Sequence, residues 1–237
     1  LLHLAWETET GAFWTAESNG RWLDSSRELL DAFLDGGGLR AVFAGSCAEY
    51  DWTALKPGGI AVEEKTPCVP VTKYGAAKMA LFDHVQRHIS QGASCAWGRL
   101  FLLYGEHEHP NRFTSSIIRN LLAGREAPMS SGRQVRDFLD TRDAGRAFAA
   151  LATGTTTGTL NIASGTGVAL KSVAEMIGGK IGRPELVRVS ALDDRPGDPP
   201  ALVADVTRLT DCLGFDPAYT LDEGLDHAIN FWRRQAG

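Results

Sequence analysis

Tyr74 and Lys78 stand four residues apart in the run Tyr74-Gly75-Ala76-Ala77-Lys78, so on a helix their side chains share one face. An ammonium beside a phenol favours the phenolate and draws the tyrosine pKa down from about 10 toward working pH, as a proton-transfer catalyst needs. Ser46 follows Leu39-Arg40-Ala41-Val42-Phe43-Ala44, an apolar run that reads as a buried strand. In open parallel sheets ligands bind beyond the carboxyl ends of strands. A serine there could donate its hydroxyl to a substrate oxygen while Tyr74 exchanges a proton with the same atom. It could equally serve a turn or a helix N-cap.

The elements that must hold these residues alternate. Leu1–Trp6 suits a short buried strand, and Gly20–Leu34 a helix that stops at Gly36-Gly37-Gly38, where glycine takes a left-handed cap. After the strand at Leu39–Ala44, a loop runs through Gly58-Gly59 and the Pro67/Pro70 region. Thr72–Ile89 is helical and Ser94–Leu102 is a third strand. This order implies parallel pairing with right-handed crossovers and helices on both sheet faces. Downstream, helices are expected at Arg112–Ala123, Thr141–Leu151, Leu170–Ile181 and Leu221–Arg234, with a strand at Thr159–Ile162. The Gly- and Thr-rich stretch from Gly154 to Gly167 reads as loops around that strand.

Composition narrows the class. The chain has 237 residues, 43% hydrophobic and 22% charged, with a net charge of −5, inside the range of ordinary globular α/β proteins. No broad basic footprint points to nucleic acid. No apolar stretch approaches the roughly 18–20 residues that span a bilayer. Cys47, Cys68, Cys95 and Cys212 are scattered without a CxxC pair, so neither a zinc site nor a disulfide framework is written here. A reduced, cytoplasmic setting is the simplest expectation.

Several segments together resemble the extended short-chain dehydrogenase/reductases, in their nucleotide-sugar epimerase/dehydratase/reductase branch. They are Leu4-Ala5 after His3, the strand ending Phe43-Ala44-Gly45-Ser46, Pro70-x3-Tyr74-x3-Lys78, and Arg99-x4-Tyr104-Gly105. Gly132-Arg133-Gln134-Val135-Arg136-Asp137-Phe138 with Asp143 looks like that branch's GxxxRDF segment. Asn161-Ile162-Ala163-Ser164-Gly165 resembles its NIGSG turn, and Arg195-Pro196-Gly197-Asp198 with Asp205 its RPGD motif.

The resemblance implies a Rossmann-type, doubly wound parallel sheet with a small C-terminal α/β substrate lobe. The Rossmann portion is expected over 1–104 and 137–163, and the lobe over 105–136 and 164–237. It further implies hydride transfer at a sugar ring carbon with NAD or NADP, Tyr74 as general acid/base, Ser46 orienting the same oxygen, and Lys78 holding the nicotinamide ribose. Cofactor contacts would fall on Leu4, Ala5, Ala44, Tyr74, Lys78 and Phe101. Arg136 and Arg195, with Ser46, would bind a nucleoside-diphosphate sugar, since guanidinium groups recognise phosphate oxygens in bidentate fashion. A homodimer through the helices at 20–34 and 72–89 is implied by the resemblance alone.

Departures sharpen the reading. Dehydratases of this branch place an acidic pair directly after the catalytic Ser/Thr; here those positions are Cys47 and Ala48, which disfavours a 4,6-dehydratase. The usual tyrosine-glycine is Tyr50-Asp51, and Leu102 stands where galactose-type 4-epimerases carry an asparagine. The GxxGxxG turn that seats a dinucleotide pyrophosphate is absent, and the strand that bears it would precede Leu1. The expectation is an epimerase or 4-ketoreductase whose first βαβ segment lies outside this sequence; the alternative is a cofactor-deficient fragment or binding protein of the same fold. Glu106-His107-Glu108-His109 reads as a polar loop rimming the sugar pocket, and no metal site is expected. Phe13, Trp14, Trp22 and Trp52 either line a ligand pocket or pack a core or subunit interface.

Overall fold

A computed structural model describes residues 1–235 apart from Thr8, Thr10, Lys56 and Pro57. The first half runs β1 (Leu2–His3), α1 (Ser18–Asp35), β2 (Ala41–Ser46), α2 (Lys73–Ser90), β3 (Cys95–Leu100), β4 (Leu102–Tyr104), α3 (Phe113–Leu122) and β5 (Ala127–Pro128). The second half adds β6 (Val135–Asp140), α4 (Thr141–Thr153), β7 (Gly158–Ile162), β8 (Gly167–Ala169), α5 (Leu170–Ile181), β9 (Val187–Arg188), β10 (Ala201–Leu202), α6 (Thr207–Leu213) and α7 (Leu221–Gln235).

The main sheet has the order β1-β2-β3-β7, parallel throughout. Side chains alternate between its faces, and each face has its own helices. Ala41, Phe43, Cys95 and Trp97 pack with Leu30 of α1 and Leu81 and Val85 of α2. Val42, Ala44, Ala96, Leu160 and Ile162 pack with Phe148 and Leu151 of α4 and Leu209 of α6. This is the Rossmann-type layering the sequence implied. A second sheet, β10-β6-β4 with β8 antiparallel on β6, lies over a separate core built from α3, α5 and α7 around Ile118, Leu121, Ile177 and Leu225.

The expected strand Ser94–Leu102 proves to be two. Phe101 interrupts it, so β3 completes the main sheet while β4 pairs with β6. β6 itself escapes the periodicity argument because Val135-Arg136-Asp137-Phe138-Leu139-Asp140 alternates charge with apolar residues, yet five of its six residues are buried. α6 lies outside the expected helices; its Leu209, with Phe215 beyond it, packs on the Rossmann side although both fall in the segment expected to form the lobe. Glycine closes α1 as expected, with Gly37 taking the left-handed conformation (φ 83°).

One close approach positions the site. Thr72 caps α2, its hydroxyl accepting from the Gly75 amide at 3.0 Å. A Cβ on Gly75 would lie 2.5 Å from the Ala48 carbonyl oxygen and 2.9 Å from Pro70 Cβ, so only glycine lets α2 begin against the turn after Ser46. Alanine gains about 1 kcal/mol over glycine in a helix interior, whereas forced overpacking costs about 1–3 kcal/mol. Gly75→Ala is therefore expected to lower the urea midpoint, although intrinsic helix propensity alone would raise it.

Candidate active site

Ser46 is the last residue of β2, not a residue beyond it, and it is buried. Its hydroxyl accepts from the Ala48 amide at 3.2 Å, while its own amide donates to Glu49 Oε1 at 2.7 Å. That reciprocal pair is a capping box, and it fixes the turn Cys47–Glu49. The N-cap alternative for Ser46 is thus realised at the mouth of the site.

Glu49 is fully buried and is the charge at the base of the site. Besides the Ser46 amide, its carboxylate accepts from Arg99 Nε at 2.6 Å and from Trp97 Nε1 at 3.1 Å. Arg99 reaches the Tyr50 hydroxyl at 3.3 Å, and Tyr50 donates to Asn161 Oδ1 at 2.7 Å. Asn161 in turn donates to the carbonyls of Ala61 and Asp205. Among the sequence signals, only the capping-box spacing Ser46-x-x-Glu49 points to Glu49.

Tyr74 and Lys78 lie on the first turns of α2. Lys78 is buried; its ammonium donates to the Ala44 carbonyl at 2.9 Å and sits 3.9 Å from the centre of the Trp6 ring. Burial lowers its pKa to about 7, with the Glu49 charge opposing the drop. Tyr74 is flanked edge-on by Trp6, Phe13 and Trp14. The loop bearing these rings is organised by buried Asn19, which accepts from Trp6 Nε1 at 2.8 Å and donates to the Phe13 carbonyl at 2.7 Å. Three of the four flagged aromatics are thus accounted for: Phe13 and Trp14 line Tyr74, and Trp22 stacks on Trp6. Trp52 meets Tyr50 and Phe101 edge-on.

The phenol pKa departs from expectation. Burial pushes it up to about 12, and a hydrogen bond with Ser46 only partly draws it back. Lys78 lies 5.9 Å from the Tyr74 ring centre and spends its charge on Ala44 and Trp6, so the expected depression by the ammonium is absent. Tyr74 therefore keeps its phenolic proton near neutral pH.

The remaining candidates are scattered. Leu4 and Ala5 are exposed just past β1, Ala44 is buried in β2, and Phe101 is buried against Tyr50, Ala61, Ala163 and Ala204. Arg136 is buried, its guanidinium committed to Asp198 at 2.7 Å and to the carbonyls of Val135 and Pro199. Arg195 is exposed and lines a pocket of about 210 Å³ with Ser131, Arg133, Gln134, Asp194 and Asp198. Glu108 accepts from Ser115 N and from the Thr114 and Ser115 hydroxyls at the start of α3, and the His107 ring packs on Phe231.

Two outcomes test this geometry. In NMR titration of ¹³C-labelled lysine, the Lys78 ε-carbon is expected to titrate near 7 and lower still in Glu49→Gln, which removes the opposing charge. Because the folded value lies below the unfolded one, this lysine's penalty on stability grows as pH falls from the ordinary lysine range toward about 7. Glu49→Gln also strands buried Arg99 and is expected to cost about 3–5 kcal/mol in urea unfolding.

The NAD dependent epimerase/dehydratase family matches residues 3–163. The dTDP-glucose 4,6-dehydratase of Xanthomonas campestris pv. campestris is 29% identical over 181 residues, 71% of this chain and 51% of that protein. The UDP-glucose 4-epimerase of Azospirillum brasilense is 26% identical over 235 residues, 89% of this chain and 65% of its own length. This chain thus spans about half to two thirds of the curated relatives it matches. Among solved structures, MoeE5 in complex with UDP-glucose and NAD is 29% identical with a TM-score of 0.78, over 90% of this chain and 71% of that one. The UDP-glucose 4-epimerase of Thermotoga maritima with UDP-glucose has a TM-score of 0.88 over 100% of this chain and 78% of its own, a likeness of fold at 19% identity. With the family match extending over more than half of its residues, the chain belongs to the NAD-dependent epimerase/dehydratase family.

Proposed function

We propose that this chain carries the catalytic portion of an NAD(P)-dependent nucleotide-sugar epimerase or 4-ketoreductase. The carrying observation is the convergence of Ser46, Tyr74 and Lys78 where β2 meets the start of α2. Tyr74 donates its phenolic proton to the sugar oxygen, or takes it back, while Ser46 holds that oxygen by hydrogen bond. Buried Trp6 and half-buried Phe13 shield one side of Tyr74, while Trp14 stays exposed at the rim. Bound nicotinamide cofactor supplies or accepts the hydride at the sugar carbon.

The residues present suit the nicotinamide end of such a cofactor. The Lys78 ammonium has three donors and spends one on Ala44, leaving two for ribose hydroxyls. Ala44, Leu4, Ala5 and Phe101 are proposed as its neighbours; a GxxGxxG cradle for the pyrophosphate is not in this sequence. Arg195, at the 210 Å³ pocket, is proposed to meet the nucleotide diphosphate, with Arg136 supporting that loop through Asp198. A homodimer through α1 and α2 and a cytoplasmic setting complete the reading; the four cysteines are free.

The relatives include 4,6-dehydratases, whose elimination needs an acid and a base beside the sugar. Cys47 and Ala48 supply neither, because burial pushes the Cys47 thiol up to about 12. Glu49, the first carboxylate after Ser46, is buried and tied to Arg99. Epimerisation or keto reduction is therefore the better reading.

The test follows NAD(P)H at 340 nm with the full-length protein and a panel of nucleotide sugars and their 4-keto forms. Reduction consumes cofactor stoichiometrically, whereas epimerisation leaves it unchanged. Tyr74→Phe is expected to lose about 10²–10⁴-fold in rate. Full activity in Tyr74→Phe, or no binding of NAD(H) or NADP(H) by the wild type, overturns the reading, the latter in favour of a non-catalytic protein.

A further inference from the structure

Away from the catalytic turn, α1 and α2 lie side by side and bring three metal-ligating side chains to one point. His84 and His88 occupy successive turns of α2, so both imidazoles leave the same face. Both turn their Nε2 atoms onto one oxygen of Asp31 on α1, at 2.7 and 2.8 Å. All three ligand atoms lie within 4.8 Å of one another. The side chains are 14%, 23% and 46% exposed for His84, His88 and Asp31 in the single chain, so solvent reaches the cluster there, and the site requires that the proposed homodimer through α1 and α2 leave this groove open.

From this geometry we infer that Asp31, His84 and His88 form a binding site for a zinc-class divalent transition ion, clamping α1 to α2. Two imidazole nitrogens and a carboxylate oxygen are a three-ligand set for tetrahedral zinc, with water in the fourth position. The mixed nitrogen and oxygen donors suit zinc, nickel or copper, and not the all-oxygen, octahedral preference of magnesium. The clamp holds the C-terminal half of α2, the helix whose first turns carry Tyr74 and Lys78.

The proton inventory is consistent. Arg87 donates to His84 Nδ1 at 3.0 Å, so the His84 proton resides on Nε2 and points at Asp31. Metal binding moves that proton to Nδ1 and frees the Nε2 lone pair, with no net proton lost from a neutral ring. The same shift turns Nδ1 into a donor, so the exposed Arg87 head must release it. Arg27, one turn before Asp31 on α1, is occupied by the Ala80 carbonyl at 3.1 Å. Arg87 is therefore the cation in contact with the cluster, and it is the one that has to move.

The experiment titrates chelator-stripped, full-length protein with zinc chloride against a chromophoric competitor, with magnesium chloride as the control. Expected are one zinc per chain, no saturable magnesium binding, and a zinc-dependent rise in melting temperature. His84→Gln, His88→Gln and Asp31→Asn, each checked for native circular dichroism, are expected to weaken zinc binding by about tenfold or more. Arg87→Gln is expected to strengthen it. Absence of saturable zinc binding by the wild type overturns the site. So does equal affinity in the His84→Gln/His88→Gln double variant, which would assign the ion to other ligands such as the cysteines. None of these readouts depends on sugar chemistry, so the site stands or falls separately from the proposed activity.

Discussion

The buried pair Glu49–Arg99 is the contact on which the catalytic edge of the sheet depends. Neither side chain reaches water, so each charge is tolerable only because the other is 2.6 Å away and the spare lone pairs are used. Those lone pairs are spent on the Ser46 amide and the Trp97 indole, and Arg99 passes the network on to Tyr50 and Asn161. One carboxylate thereby sets the turn that aims Ser46, supplies the negative charge felt by Lys78, and joins β2 to β3. Its neighbour Gly45 has no room for a side chain, because a Cβ there would sit on the Trp97 indole nitrogen. The site is thus anchored from below.

A second set of carboxylates holds the substrate side in place. Asp137 is buried in β6 and accepts from the amides of Ser164, Gly165 and Ala204 and from the Ser164 hydroxyl. Asp143 accepts from the amides of Ala218 and Tyr219 ahead of α7. Both residues belong to motifs that family resemblance associates with substrate binding. Their observed work is backbone satisfaction, because irregular chain packed between two cores must find acceptors for its amides.

The alternation of apolar runs made the layer architecture legible, and the helices fall close to their expected bounds. What the sequence hid has physical causes. β6 carries ionisable residues inside a buried strand, tolerated because Arg136, Asp137 and Asp140 all have partners. The division at Phe101 is a matter of which strand pairs with which, and local pattern is silent on that. At the candidate site, spacing suggested Tyr74 and Lys78 and strand position suggested Ser46; all three fall where β2 meets the start of α2. The partner of Lys78 did not follow from spacing: proximity on a helix face suggested the phenol, whereas burial beneath Trp6 and the Ala44 carbonyl took the ammonium instead. The His84/His88/Asp31 cluster needed two helices in register, which only the folded chain shows.

Tyr74 is the second residue of an 18-residue helix whose first turn contains no acidic side chain. Side chains on a helix tilt toward its N-terminus, so the phenol lies at the positive end of the macrodipole, where the Tyr74 and Gly75 amides are bonded to the Trp14 carbonyl and the Thr72 hydroxyl. A carboxylate in the turn itself would have neutralised that potential; the carboxylates nearby are Glu17, paired with Lys73, and Glu49, whose charge disfavours ionisation of Tyr74. Burial makes the resting phenol reluctant to ionise, but an anion formed in the proposed proton transfer would arise at the positive pole of the macrodipole. That pole is worth up to about 2 kcal/mol in partly buried settings. The helix can therefore lower the cost of the charged moment without favouring a permanent phenolate.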